Sequence, residues 1–159
     1  MRRFIDIYYH LLSVLLALSV GILVVPVTLQ IIARFTHWIP HWIWTEEMAR
    51  FLFIWMVMIG AMLGIREGTH FEVDLWPRME PRAEAALNLV VGVAVLALAF
   101  VFLWAGIEFT RFAWNLISEL AELPLWLIHV AWPLTGATWI VFQGEKMVDN
   151  CLVLAGRAA

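Results

Sequence analysis

Long blocks free of charged residues constrain this sequence more than any other feature. Residues 11–32, 85–107 and 123–143 form blocks of 22, 23 and 21 residues, none of which contains Asp, Glu, Lys or Arg. An α-helix needs about 20 such residues to cross a hydrocarbon core. Only 14% of the 159 residues are charged and 64% are hydrophobic, so the chain lacks the polar surface of a soluble domain. We therefore predict an all-α integral membrane protein.

A further span is predicted between the first two of these blocks. The 15 uncharged residues between Arg50 and Arg66 would make a helix of about 22 Å, which is short for a bilayer. A helix over 46–67 has 22 residues, reaches about 33 Å and keeps every charge near an end. The sequence thus predicts four transmembrane helices in one membrane domain over residues 1–159, with spans at approximately 10–33, 46–67, 84–108 and 123–145.

The distribution of basic residues predicts the orientation of these spans. Seven basic residues lie in the N-terminus, the 66–84 connection and the C-terminus, and three lie on the opposite side. The positive-inside rule therefore predicts that both termini are cytoplasmic. The first apolar run continues to residue 32 and exceeds the 7–15 residues of a typical signal-peptide core, so we expect a retained span.

Composition also argues against several classes of function. Cys151 is the single cysteine, which leaves no internal disulfide or cysteine-based metal cluster. The net charge of −3 is spread over the connections and suggests no nucleic-acid partner. No Asp or Glu is expected at mid-depth in a span, so we predict no catalytic residue, cofactor site or metal site in this chain. His129, near the start of the fourth span, could serve a proton relay or a haem, but a hydrogen-bonded interfacial histidine is the preferred interpretation.

The stretch WTEEMAR, residues 44–50, places three charges at the start of the second span. Thr45 is a suitable N-cap, Glu46 and Glu47 complement the helix dipole, and Arg50 lies four residues after Glu46. Capping therefore explains the sign and order of the charges. Two carboxylates exceed what a cap requires, so an interface with a partner or with lipid is the alternative. The sequence leaves both open.

The connection after the second span alternates polar and apolar residues. His70, Glu72 and Asp74 alternate with apolar side chains, a period of two that is typical of an extended or interfacial segment. These three side chains could bind a metal, but three ligands in one connection are weak evidence for a site. We expect an amphipathic connector at the membrane surface.

Small residues recur every four positions on two of the predicted helices. Gly60 and Gly64 form such a row on the second helix, and Ser13, Ala17 and Gly21 form one on the first. Rows of small residues let helix backbones approach closely in lipid. We therefore predict that these residues pack helices, either within the bundle or against another subunit.

The segment 44–74 carries a resemblance to a known family. It resembles the core pattern of the small, DctQ-like membrane subunit of tripartite ATP-independent periplasmic (TRAP) transporters, in the residues Trp44-x-Glu46-Glu47, Arg50, the apolar run to Gly60, and Arg66-x-x-x-His70-x-x-x-Asp74. The length, the four predicted spans and the cytoplasmic termini fit the same family. Because the chain ends at Ala159, we expect a separate small subunit rather than a fusion.

The resemblance implies a non-catalytic role in the bacterial inner membrane. In such a transporter a periplasmic solute-binding protein delivers an organic anion, typically a carboxylate, to a large DctM-like membrane subunit that carries the substrate and sodium sites. The small subunit would brace the scaffold of the large one and help to dock the binding protein. By this resemblance, seven residues would orient the second helix and contact a partner or membrane lipids: Trp44, Glu46, Glu47, Arg50, Arg66, His70 and Asp74.

Two other functions remain as alternatives. A membrane-anchor subunit of a respiratory or redox complex would need haem or quinone ligands, and the histidines do not pair at one depth. A Soret band in the absorbance spectrum of the purified protein would support that alternative. A small autonomous channel is disfavoured because no polar stripe runs through the spans.

Overall fold

The computed structural model describes residues 2–36, 40, 42, 44–67 and 81–155, and these form a helical bundle. The helices in chain order are α1 (Arg2–Thr36), α2 (Trp44–Glu67), α3 (Pro81–Phe112), α4 (Trp126–His129) and α5 (Ala131–Leu154). Within the described ranges there is no strand, and a single isolated bridge joins Ile117 to Pro124. The predicted all-α fold is confirmed.

Three of these helices are long and apolar enough to cross a membrane, over Arg3–Thr36, Trp44–Glu67 and Ala83–Phe112. They correspond to the first three predicted spans. The charged residues around 46–67 belong to α2, because that helix begins and ends within two residues of the predicted bounds. Helices α1 and α3 both extend beyond their predicted limits.

The fourth predicted span, 123–145, differs from the structure. Residues 113–125 form turns, α4 begins at Trp126, and the helix is interrupted at Val130 before α5 continues to Leu154. Pro133 lacks a backbone N–H and leaves the carbonyl of His129 without its helical donor, which accounts for the interruption. The second half of α5 carries Glu145, Lys146 and Asp149, and this helix is not among the three apolar ones.

The helices pack in the order α1, α2, α5, α3. The core contains one cluster drawn from all four long helices: Ile5, Leu12, Ile59, Met62, Leu63, Ile65, Val95, Ala99, Trp139 and Phe142. Buried residues make up 39% of the most apolar window of α2 but only 11% of that of α1. In a membrane, the exposed apolar face of α1 is therefore available to lipid or to another subunit.

Helices α3 and α5 approach each other at the level of their backbones. A Cβ atom added to Gly136 would lie 2.6 Å from the nitrogen of Leu103 and 2.7 Å from the carbonyl oxygen of Ala99. At Gly106, an added Cβ would lie 2.6 Å from the ring of Pro133. These glycines permit a contact that a larger residue would prevent.

Candidate functional site

The N-terminal end of α2 is joined to the connection between α3 and α4 by a carboxylate. Glu47 is only 7% exposed. One of its carboxylate oxygens accepts hydrogen bonds from the backbone N–H groups of Leu120, at 3.0 Å, and Ala121, at 2.6 Å. Hydrogen bonds of a backbone amide to a charged acceptor are among the stronger ones in proteins. Glu47 therefore fixes this connection to α2.

The connection that Glu47 holds, residues 113–125, is also closed on itself. The backbone N–H of Ser118 donates to the carbonyl of Leu123 at 2.8 Å, and the N–H of Leu123 donates to the Ser118 hydroxyl at 3.2 Å. Glu122 has a φ of 52°, the left-handed conformation that lets the chain reverse. The two amides reach the carboxylate because the turn orients them together.

Three other residues at this end of α2 face outward. Glu46, Arg50 and Trp44 are exposed, and the ring of Trp44 stacks on that of Trp42 with centroids 6.2 Å apart. Thr45 is inside the helix, and its hydroxyl donates to the carbonyl of Trp42 at 2.7 Å instead of accepting a bond from the helix. The predicted N-cap role of Thr45 is therefore wrong. The two adjacent carboxylates have different surroundings: Glu47 is buried against the connection, and Glu46 is on the surface.

The C-terminal end of α2 is joined to α1 through an arginine. The guanidinium of Arg66 donates to the carbonyl of Ile5 at 2.7 Å, forms an ion pair with Asp6, and lies 4.8 Å from the centroid of the Tyr9 ring. The Tyr9 hydroxyl in turn donates to Glu67 at 2.6 Å. Four residues from two helices thus form one polar cluster, which sets how α1 lies on α2.

The remaining site residues predicted from the 44–74 pattern, His70 and Asp74, lie outside the described residues. The same holds for the metal-site alternative, which used both of them with Glu72. Among the described residues, no group of three or more His, Cys, Asp and Glu could hold a metal ion. A contact of this segment with a partner or lipid stays a prediction.

The residues predicted to pack helices divide into two groups. Gly64 is buried, and the hydroxyl of Ser13 donates to the carbonyl of Tyr9 within α1. A Cβ atom added to Gly60 or Gly21 would meet nothing within 4 Å, and Ala17 is exposed. These three small residues do not bring backbones together inside this chain, so their packing against another subunit stays a prediction.

His129 ends α4 beside an aromatic ring. Its imidazole approaches the ring of Phe109 edge-on, with centroids 6.1 Å apart. Its Nδ1 atom is buried and has no hydrogen-bond partner in the described part of the chain. The hydrogen bond predicted for this histidine is therefore not observed at Nδ1.

Two of the contacting residues were missed by sequence reasoning. Asp6 is the single acidic residue before Glu46, and an acidic group next to an apolar span requires a cationic or hydrogen-bonding partner. That signal could have directed attention to Arg66. Ser118 gave no comparable signal, because its role depends on the turn that the connection forms.

Together these contacts define a class of protein. The polar residues at both ends of α2 hold helices and a connection in place, and the apolar surfaces of α1 and α3 are exposed. This is the construction of a small helical membrane protein whose helices are held together by polar contacts and close packing.

Comparison with known families gives the particular assignment. Residues 23–152 match the family model described as the DctQ component of tripartite ATP-independent periplasmic transporters. The match covers more than half of the chain. The chain belongs to this family, and the resemblance found in the sequence is confirmed.

Several individual proteins are similar to this chain. The C4-dicarboxylate TRAP transporter small permease protein DctQ of Rhodobacter capsulatus is 30% identical over 104 residues, covering 64% of this chain and 45% of that protein. The sialic acid TRAP transporter small permease protein SiaQ of Vibrio cholerae is 25% identical over 117 residues, covering 72% of this chain and 66% of that protein. The isethionate TRAP transporter permease protein DctMQ of Oleidesulfovibrio alaskensis is 28% identical over 96 residues, 58% of this chain and 15% of that protein. The matched stretch is thus less than two thirds of each of these relatives.

Proposed function

We propose that this chain is the non-catalytic small membrane subunit of a TRAP transporter and works beside a large DctM-like membrane subunit and a periplasmic solute-binding protein. The family match over residues 23–152 is the observation that carries this proposal. Two similar proteins bear the name small permease protein. The name DctMQ, together with the 15% share of that relative that is matched, fits a polypeptide in which a Q-like part accompanies a larger part.

The proposed substrate is an organic anion of the carboxylate type, and its uptake is coupled to sodium bound by the large subunit. The names of the three relatives mention isethionate, C4-dicarboxylate and sialic acid, all of them organic anions. The role of this chain is to brace the large subunit in the inner membrane, with four spans and both termini in the cytoplasm. The excess of basic residues on one side supports that orientation.

The exposed group at the N-terminal end of α2 is the proposed contact with the partner proteins. The ring of Trp44 is 47% exposed, so it can anchor this end of the helix at the membrane interface. Glu46 and Arg50 are exposed beside it. Glu47 plays a different part, because its carboxylate is bound to the connection of the same chain. The contact therefore uses Glu46, and Glu47 supports the surface on which that contact rests.

A matched pair of variants tests this division. The chain is co-expressed with the large membrane subunit and pulled down in detergent, as wild type, Glu46→Lys and Glu47→Gln. We expect Glu46→Lys to reduce co-purification with the large subunit several-fold. Glu47→Gln should instead lower the unfolding temperature and increase proteolysis within residues 113–125, because the amides of Leu120 and Ala121 lose a charged acceptor.

The outcomes distinguish a failure of the proposed contact at Glu46 from a failure of the assignment as a transporter subunit. Unchanged co-purification of Glu46→Lys would remove Glu46 from the interface and leave the subunit assignment intact. Absence of any complex between the wild-type chain and the large subunit would contradict the proposed function itself.

A further inference from the structure

A cavity of about 340 Å³ lies between the C-terminal end of α1 and the N-terminal end of α2. Two pairs of α1 residues line it, Gln30 with Arg34 and Ile31 with Phe35, and Glu46 of α2 lines it as well. Residues four apart lie on one face of a helix, so α1 presents a polar row beside an apolar row. The cavity therefore suits a ligand that has a polar part and an apolar part.

The amide of Gln30 is a hydrogen-bond donor that the fold leaves unused. Its Nε2 atom is buried and has no hydrogen-bond partner among the described residues. Burial of an amide N–H without an acceptor is unfavourable, and a folded protein rarely keeps such a group without a reason. The terminal amide turns about a soft torsion, so its N–H groups reach an acceptor placed in the cavity that this side chain lines. An occupant with an oxygen acceptor would satisfy the amide.

Arg34 adds a positive charge and further donors one turn after Gln30. Its side chain is exposed and lines the cavity. A guanidinium presents a planar fork of N–H donors that matches a phosphate or a carboxylate, so the two neighbouring donor groups select an oxyanion. Glu46 brings a negative charge from α2, which favours a singly charged phosphodiester over a doubly charged phosphate. Because Glu46 already has an interaction in the structure, it is assigned no part in holding the ligand.

The depth of the cavity identifies the class of oxyanion. The uncharged block of residues 11–32 ends just before Arg34, and Glu46 lies in the first turn of α2. The cavity therefore lies where the hydrocarbon of a bilayer gives way to headgroups. Ile31 and Phe35 are 53% and 76% exposed, so apolar surface for an acyl chain adjoins the donors. A phosphate joined to an acyl chain at this depth is a membrane phospholipid.

We propose that this cavity holds the phosphodiester of one phospholipid. The guanidinium of Arg34 and the amide N–H of Gln30 donate to the phosphate oxygens, and the start of an acyl chain packs on Ile31 and Phe35. The bound lipid satisfies the amide that the fold leaves without an acceptor. The proposal concerns the chain itself and does not depend on its assignment to a transporter.

Native mass spectrometry of the detergent-purified chain tests the class of ligand. The protein is titrated separately with phosphatidylglycerol, with diacylglycerol of the same acyl chains, and with inorganic phosphate. We expect one phosphatidylglycerol to bind, about tenfold more tightly than diacylglycerol, and inorganic phosphate not to bind detectably.

Three results of this titration would overturn the proposal. Equal binding of diacylglycerol would mean that the phosphate is not recognised. Binding of inorganic phosphate as tight as that of the lipid would indicate a site for a free anion. Absence of saturable binding of one lipid would leave the two donors to an acidic side chain of another protein.

A matched pair of arginine variants locates the lipid in this cavity. Arg34→Met removes the guanidinium that lines it, and Arg111→Met is the control, because Arg111 lies in the last turn of α3 as Arg34 lies in the last turn of α1. We expect Arg34→Met to weaken phosphatidylglycerol binding about tenfold and Arg111→Met to leave it unchanged. Equal affinities of the two variants would place the lipid elsewhere and refute the site.

Gln30→Leu provides an independent variant, since it removes the amide and keeps the volume of the side chain. We expect it to raise the unfolding midpoint of the lipid-free chain, because a buried N–H without an acceptor is lost. It should also weaken phosphatidylglycerol binding several-fold. A raised midpoint with unchanged lipid affinity would show that the amide does not hold the phosphate, and would refute the site as described.

Discussion

The α3–α5 contact and the α1–α2 contact are built in different ways. Between α3 and α5 the backbones nearly touch, with Gly136 against Leu103 and Gly106 against Pro133. Between α1 and α2 the most specific contacts are polar and lie at one end, around Arg66. Further along α1, a Cβ atom at Gly21 would meet nothing within 4 Å.

The difference reflects the solvent in which these helices lie. Lipid tails are as apolar as leucine, so apolar area alone does not drive helices together in a bilayer. Close backbone packing and polar contacts provide the association instead. The α3–α5 pair uses the first means and the α1–α2 pair the second, so the two contacts should respond to different substitutions.

The largest expected effect is at the α3–α5 contact. Gly136→Ala places a Cβ atom within 2.7 Å of two backbone atoms of α3, and such overpacking costs about 1–3 kcal/mol. Gly144→Ala is the control, because a Cβ there meets nothing within 4 Å in the same helix. Thermal unfolding in detergent should show a lower midpoint for Gly136→Ala and an unchanged midpoint for Gly144→Ala. Equal midpoints for the two variants would show that the helices do not approach as closely as described.

A smaller effect is expected at the α1–α2 contact. Arg66→Met removes the donor to Ile5 and the ion pair with Asp6, and we expect a loss of about 1 kcal/mol because the pair is partly exposed to solvent. Arg66→Lys should retain only part of the contact, since lysine lacks the planar fork of donors. Unfolding midpoints and the protease sensitivity of α1 measure both variants.

The exposed pair of Arg111 and Glu108 supplies the control for this arginine. Its atoms are 3.4 Å apart and both side chains are exposed, so Arg111→Met should leave the unfolding midpoint nearly unchanged. If Arg111→Met were as destabilising as Arg66→Met, the cluster around Arg66 would have no special part in holding α1.

The smallest effect on the isolated chain is expected at one glycine of α1 and one of α2. Gly21→Ala and Gly60→Ala introduce Cβ atoms into open space, so the unfolding midpoint should stay within error or rise slightly. If these small residues pack against another subunit, co-purification with the large subunit should fall while the isolated chain is unaffected. Wild-type co-purification of both variants would mean that neither row is part of the interface.

Much of the fold was predictable from the sequence, and the reasons are visible at α2. Its bounds followed from counting residues, because 15 uncharged residues are too few to cross a bilayer without the flanking charges. The bounds of the fourth predicted span were harder to predict, because Pro133 interrupts the helix there and a turn replaces its expected start. Charge counting and hydropathy do not detect such local backbone effects.

The candidate site was predictable only in part. The sequence places Glu46 and Glu47 side by side, but their different surroundings depend on a turn more than seventy residues away, which presents the N–H groups of Leu120 and Ala121. The backbone approach at Gly136 likewise depends on which helices become neighbours. Such long-range pairings follow from the tertiary fold and not from local patterns.

The most direct test of the central claim is reconstituted transport. Proteoliposomes contain the large membrane subunit with or without this chain, the solute-binding protein is supplied outside with a sodium gradient, and uptake of a panel of organic anions is measured. The account predicts uptake of at least one organic anion only when this chain is present, and recovery on adding the chain back. Equal uptake without this chain would contradict a supporting role in transport.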